Sequence, residues 1–136
     1  MAFHGTFEHT LDAKNRLTLP AKFRTALAGK VFLVRSQDPC IAIYPGEAYE
    51  ALAAEALKDV NPLSREGKRD RRRFYSLTDD VELDGAGRVT LQPRHLQHAG
   101  ISSREVVIAG AGDSLELWAP ETWRPYEAEL TSESDL

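Results

Sequence analysis

Two arginines stand where they can do chemistry as a pair. Arg16 follows Asp12 by four residues in LDAKNRLTL (11–19), and Arg88 follows Asp84 by four in LDGAGRVTL (83–91). A guanidinium presents parallel N–H groups that match the O6/N7 edge of guanine, and it suits phosphate equally well. A carboxylate four residues earlier, across a tight turn, bonds the turn's own N–H groups and can hold the arginine in place. Asp12 and Asp84 are therefore read as turn-builders, with Asn15 and Gly87 as the residues that tolerate positive φ. Lys14 sits at the tip of the first turn, where the second motif has Ala86. Lys22 and Arg24 follow at a distance suited to phosphate contacts that fix register. The candidate nucleic-acid contacts are Arg16 and Lys14 first, Arg88 second, then Lys22 and Arg24.

The remaining reactive side chains form no catalytic set. Cys40 lies in an apolar strand without a flanking His or basic residue, so it reads as a buried, inert thiol. As the only cysteine it can form no disulfide within the chain. His95 and His98 are three apart on a short helix and read as surface histidines. Two such residues make no zinc site, and no metal or cofactor is expected. The run Gly110-Ala111-Gly112 follows a strand but opens no helix, so a dinucleotide loop fails. Trp118 and Trp123 read as core and interface aromatics. No nucleophile, base and oxyanion donors come together, so neither an enzyme nor a small-molecule substrate is expected.

The elements that must position the arginines are duplicated. Five of nine positions agree between the two motifs, and CIAIYP at 40–45 is echoed by LELWAP at 115–120. Tyr44 then falls on Trp118, and Tyr49 on Trp123. Each copy reads as strand, hairpin, strand, short helix, strand, strand. Phe3, Phe7 and Leu11 share one strand face. The turns Asp12–Asn15 and Asp84–Gly87 fit a type I turn ending in a left-handed residue, a common three-residue hairpin loop. Pro20, Phe23, Leu27 and Gly29 predict the first short helix, and Pro93 to Gly100 the second. Between the copies, Tyr49, Leu52, Ala53, Ala56, Leu57 and Val60 form a helical stripe. Asn61-Pro62 ends it and is read as the cap and first residue of a second helix. In that helix six of the nine residues from Arg65 to Arg73 are basic. They read as a solvated face laced with i,i+4 ion pairs. The division is 5–47 for the first domain, 48–78 for a helical linker, 79–122 for the second domain, and 123–136 for an acidic tail, expected to fray after Glu127.

Composition points the same way. The chain has 136 residues, 42% hydrophobic and 28% charged, ordinary for a folded domain. Its net charge of −4 argues against a general polyanion binder. The charge is uneven, however. Residues 1–46 carry six basic and three acidic groups (+3), and 47–75 carry seven and six (+1). Residues 76–120 carry three and seven (−4), and 121–136 one and five (−4). A polyanion would bind the front. The basic front of one chain could also dock on the acidic back of the next, a head-to-tail contact that generates rings. No apolar run approaches the ~20 residues of a membrane helix. The opening MAFHGTFEHT lacks a secretory pattern, so a cytoplasmic protein is expected.

Taken together, these motifs resemble the MraZ family of bacterial transcriptional regulators. The resemblance rests on Phe3 and Gly5, on Asp12-x-Lys14-x-Arg16, and on Leu17 with Pro20. It continues through Tyr44-Pro45, the second Asp84-x-x-Gly87-Arg88 and LELW at 115–118. It implies a β-rich α+β fold with two SpoVT-AbrB-type domains in an interleaved-hairpin β-barrel, joined by a helical linker. It also implies a ring-shaped homo-oligomer on double-stranded DNA. The sites would be short direct repeats upstream of its own operon, the cell-division and cell-wall gene cluster, giving a nucleoid-associated regulator. Asn15 stands where the family usually has Gly. Two alternatives from the residues remain open: an antitoxin-like module of the same fold that also binds a protein, and a structural ring without a DNA role.

Overall fold

The computed structural model describes residues 2–133. Eight strands and four α-helices follow the chain. The first copy holds β1 (Thr6–Thr10), β2 (Arg16–Thr18), β3 (Lys30–Arg35), β4 (Cys40–Pro45) and α1 (Gly46–Ala56). Next come α2 (Arg65–Ser76), β5 (Thr78–Glu82) and β6 (Arg88–Thr90). The chain ends with α3 (Pro93–Ala99), β7 (Glu105–Gly110), β8 (Leu115–Trp118) and α4 (Pro120–Ser132).

The strands of the two copies interleave. Six form one antiparallel sheet in the order β1-β7-β8-β4-β3-β5, and β2 pairs with β6 in a separate ribbon. Exchanging β1–β4 with β5–β8 reverses the order and leaves it unchanged, so the sheet has an internal pseudo-twofold axis between β4 and β8. β1 and β2 do not form the expected ladder with each other. β1 pairs with β7 and β2 with β6, while in the second copy β5 pairs with β3. Among the described residues one backbone–backbone bond, from Asp12 N–H to the Arg16 carbonyl at 3.1 Å, joins the two arms of the first turn. Each arm buries its apolar face by reaching into the other copy, which a unit of this size needs for a core. The sheet ends in β1 and β5, which are unpaired with each other, so backbone hydrogen bonds do not close it into the expected barrel. The ribbon covers it instead. Leu17, Leu19, Val89 and Leu91 share one buried cluster with Ile41, Ile43, Ile108 and Leu117.

Several local expectations change. The first short helix is only a 3-10 turn at Ala21–Phe23, followed by a single α-type bond from Leu27 N–H to the Phe23 carbonyl. The second is a true α-helix, ended by Gly100 in the left-handed conformation. Asn61 does not cap α2: its Oδ1 accepts from Leu63 N–H at 2.9 Å, making a local turn around Pro62. Ser64 is the cap, its Oγ accepting from Gly67 N–H at 2.9 Å. Gly67 is buried, and a Cβ there would lie 1.7 Å from the Asn61 carbonyl oxygen, so no side chain fits. Up to Ser132 the polar stretch after Glu127 continues α4 rather than fraying; the rest of the tail, 134–136, lies outside the described residues.

His95 is fully buried, not a surface histidine. Its Nδ1 accepts from Gln92 N–H at 2.9 Å, so Nε2 carries the proton and donates to Asp79 Oδ2 at 2.8 Å. Arg94 binds both oxygens of the same carboxylate, at 2.7 and 3.2 Å. The three residues tie α3 to β5. Burial pushes the His95 pKa down, while Arg94 foremost lowers that of Asp79. Tyr49 stacks on Phe32 at 4.2 Å and on Phe74 at 5.8 Å, pinning both linker helices to β3.

Candidate nucleic-acid interface

The two motif turns are built alike, bond for bond. Asp12 Oδ1 accepts from the N–H groups of Lys14 (2.8 Å) and Arg16 (2.9 Å), and Oδ2 accepts from Arg16 Nε at 2.6 Å. Asp84 Oδ1 accepts from Ala86 and Arg88 N–H, both 2.9 Å, and Oδ2 from Arg88 Nε at 2.7 Å. Each turn closes with an N–H to the Asp carbonyl at 3.0 Å, from Asn15 and from Gly87. Asn15 has φ 58°, the only positive value at a non-glycine among the described residues, and Gly87 has φ 75°. Asp12 and Asp84 thus bond the N–H groups of their own turns, with Asn15 and Gly87 at the positive-φ positions.

Each arginine thus commits Nε to its carboxylate. The terminal Nη groups have no hydrogen-bond partner within the chain among the described residues. The side chains of Arg16 and Arg88 are 27% and 32% exposed. This is an arginine held in position with its fork still free.

The ribbon brings the two forks to one face. Arg16 pairs with Thr90, Leu17 with Val89, and Thr18 with Arg88. Leu17 and Val89 are fully buried, so strand alternation puts Arg16, Thr18, Arg88 and Thr90 together on the outer side. Arg16 and Arg88 are diagonal neighbours, about 7–8 Å apart by sheet geometry. The turns lie at opposite ends, locked by Leu91 N–H to the Asn15 carbonyl (2.9 Å) and Leu19 N–H to the Gly87 carbonyl (3.0 Å). Thr18 and Thr90 were not singled out from the sequence. The -R-x-T- pattern in both motifs was the available signal.

The other cations divide. Lys14 is exposed at the tip of the first turn. Arg24 joins the second copy's turn rather than its own: its Nε donates to the Leu19 carbonyl at 3.1 Å, and a Cβ on Gly87 would stand 2.6 Å from it. A positive φ and this close approach both require glycine at 87. Lys22 is held over the Phe7 and Phe23 rings, 4.7 and 5.0 Å from their centroids. The basic run of α2 is exposed, but among the described residues no ion pair within 4.0 Å ties it to Glu66 or Asp70, so the expected lacing is missing. Arg71 lies over the Tyr75 ring at 5.5 Å.

Electrostatics follow from the turns. The Arg16 backbone N–H foremost, helped by its side chain and by Lys14 N–H, lowers the Asp12 pKa from 3.8 to about 2. Asp84 is lowered for the same reason, by Arg88 N–H first. A depressed carboxylate stabilises the fold above its ordinary pKa and loses that contribution as pH falls through the folded value. For Asp12 this window runs from 3.8 down to about 2. Because the backbone bond leads, Arg16→Ala is expected to leave Asp12 depressed, with only a partial rise. Carboxyl carbon shifts followed by NMR against pH check this; full return to the ordinary value would show that the guanidinium alone is responsible.

The remaining candidates fit no chemistry. Cys40 is buried, and burial pushes its thiol up to about 12. It packs with Val107, Ala109, Trp118 and Trp123. His98 Nε2 lies 3.2 Å from the Asp38 carbonyl. Gly112 meets Phe3 in an isolated bridge. No three His, Cys, Asp or Glu side chains cluster as metal ligands among the described residues. No helix there is long and apolar enough to cross a membrane.

Fold and site together define a duplicated, strand-interleaved β-rich α+β protein that shows two Asp-x-x-x-Arg turns on one ribbon. Comparison with known proteins agrees. The family model described as "MraZ protein, putative antitoxin-like" matches residues 2–71 and again 74–136. A protein of Corynebacterium kroppenstedtii named "Transcriptional regulator MraZ" is 40% identical over 129 residues, 93% of this chain and 87% of that one. Proteins of the same name from Mycobacterium bovis and Mycobacterium tuberculosis are each 42% identical over 127 residues, 92% of this chain and 86% of theirs. The chain belongs to the MraZ family.

Proposed function

We propose that this chain is a transcriptional regulator that binds DNA sequence-specifically through the β2–β6 ribbon. It acts as a ring oligomer on direct repeats upstream of its own operon, the cell-division and cell-wall cluster, and works in the cytoplasm at the nucleoid. The carrying observation is the pair of preorganised arginines on one ribbon face. A two-stranded ribbon fits the major groove. There the free forks of Arg16 and Arg88 donate to the O6 and N7 acceptors of guanine edges, while Lys14, Thr18 and Thr90 suit phosphates. Arg24 supports the second turn, and Lys22 sits beside the first strand. The relatives' shared name supports the regulatory role.

One protomer offers only two base-reading forks, each worth ~1–3 kcal/mol. Tandem operator repeats bound by linked protomers convert weak single contacts into avidity. Equilibrium binding to labelled DNA from upstream of the gene, beside a scrambled duplex, tests this over a salt series. Tight binding to the first, weak binding to the second and a steep fall with salt are expected. Equal affinity for both duplexes would refute sequence-specific reading, and no binding at low salt would leave a ring without a DNA role. The family model's description favours a second reading, an antitoxin-like module, which predicts a co-purifying protein partner that displaces DNA.

A further inference from the structure

The two linker helices enclose a space that DNA reading by the ribbon does not use. Between α1, α2 and the strands β3 and β4 lies a cavity of about 430 Å³. Its walls are mostly apolar: Val34 from β3, Leu52 from α1, Leu57 just after it, and Phe74 and Leu77 at the end of α2. The helices are pinned around it. Tyr49 of α1 stacks on Phe74 at 5.8 Å, and the Leu77 carbonyl accepts from Arg35 N–H at 3.2 Å. Ala42 and Ala56 also line the space, and their single methyl groups leave it open. Protein interiors are close-packed, with few voids larger than a water molecule. Spaces of about 300–1,000 Å³ with apolar walls and a few placed polar groups are the usual form of a small-molecule site.

The charged groups say what fits there. Arg35, Arg73 and Asp70 all line the cavity. Among the described residues none of the three has an ion-pair partner. Arg35 is the least satisfied. Its Nε is buried without a hydrogen-bond partner, and its Nη2 reaches the Ser76 carbonyl at a long 3.5 Å. A guanidinium N–H shielded from water without an acceptor costs free energy. Nε and Nη2 make the side edge of the guanidinium, which takes both oxygens of one carboxylate. Two arginines and one aspartate sum to +1, which complements a single negative charge.

We propose that this cavity binds a small monocarboxylate with an apolar body. The carboxylate sits on the Nε–Nη2 edge of Arg35 and supplies the acceptor that this arginine lacks. The hydrocarbon lies among Val34, Leu52, Phe74 and Leu77 and is driven there by leaving water. Arg73 adds the second positive charge. Asp70 disfavours a doubly charged head, such as a phosphate monoester, by repulsion. The site stands on α1, α2 and the strands under them, so it holds whether or not the ribbon reads DNA.

Isothermal titration calorimetry on the full chain tests it with octanoate, beside octanol and monooctyl phosphate, all below their micelle concentrations. Saturable binding of one octanoate per chain is expected, about tenfold or more tighter than octanol and tighter than octyl phosphate. Arg35→Met keeps an apolar stem and removes the guanidinium. It should weaken octanoate by about tenfold or more and leave octanol unchanged. Ala42→Leu fills the cavity and should abolish binding of both. Circular dichroism checks that each variant folds, and the comparison of octanoate with octanol on wild type needs no substitution. Amide NMR shifts on adding octanoate should centre on α1, α2 and the end of β3. Absence of saturable octanoate binding, octanol binding as tight as octanoate, or full-strength binding in both variants would overturn the proposal. Shifts centred on the ribbon would also overturn it, and tighter binding of octyl phosphate would overturn the carboxylate head.

Discussion

An Arg16→Ala, Arg88→Ala double variant is expected to fold and assemble as wild type and to lose its hold on operator DNA. Both side chains lie on the outer ribbon face above a fully buried Leu17–Val89 pair, so neither supports the core. Each ion pair is half-exposed, and such pairs contribute little to stability. The turns also keep their backbone bonds, because Asp12 and Asp84 accept from N–H groups that alanine retains. Binding is different. Two lost forks at ~1–3 kcal/mol each reduce affinity per protomer by roughly 30-fold to 10⁴-fold. The variant also leaves two uncompensated carboxylates on the face proposed to meet phosphates. Fluorescence anisotropy at fixed salt, with sedimentation for assembly, measures both quantities. Undiminished operator affinity in a correctly assembled double variant would refute the ribbon as the reading element. Lys14→Ala gives the contrast: affinity falls alike on operator and scrambled DNA, because a phosphate contact carries no sequence information.

How much of this was legible in the sequence depends on whether the signal was local. The turns were fully legible. Asp at the first position and Asn or Gly at the left-handed position constrain a few consecutive residues, and the bonds of Asp12 and Asp84 follow from that. The duplication was legible too, since repeated residues need no folding to be seen. Pairing across copies was not. A strand such as Phe7-Glu8-His9 alternates identically whether it meets β2 or β7, so periodicity gave the strands and left their partners open. For the same reason the position of Arg24 against Gly87 of the other copy has no signature in the sequence. His95 shows the same limit. An imidazole at the third position of a short helix reads as exposed until Asp79, sixteen residues earlier on another element, is placed beside it. The exposure of α2 was foreseen, but the absence of its ion pairs depends on side-chain reach that spacing does not fix.

The ribbon's attachment to the core gives the largest expected effect on stability. β2 and β6 pair over only three residues each, too little to persist alone. What holds them down is the inward row of Leu17, Leu19, Val89 and Leu91, all within the main buried cluster. Leu17→Ala empties a site that is 0% exposed, removing the transfer energy of the lost methyl groups and leaving a cavity. Such truncations cost ~2–5 kcal/mol. For a chain of this length the midpoint should fall by roughly 5–20 °C. Leu63→Ala, at a leucine 84% exposed, should stay within about 0.5 kcal/mol of wild type. Thermal and urea unfolding of the two variants, measured together, make the comparison. Equal stability would mean that the ribbon floats above the core. Because Arg16 and Thr18 flank Leu17 on the opposite face, the same truncation should loosen the arginine forks. Operator affinity should therefore fall even well below the melting midpoint, which Leu63→Ala should not cause. If the ribbon enters a groove as proposed, its outer face must stay free for DNA, so the buried row is its main source of stiffness.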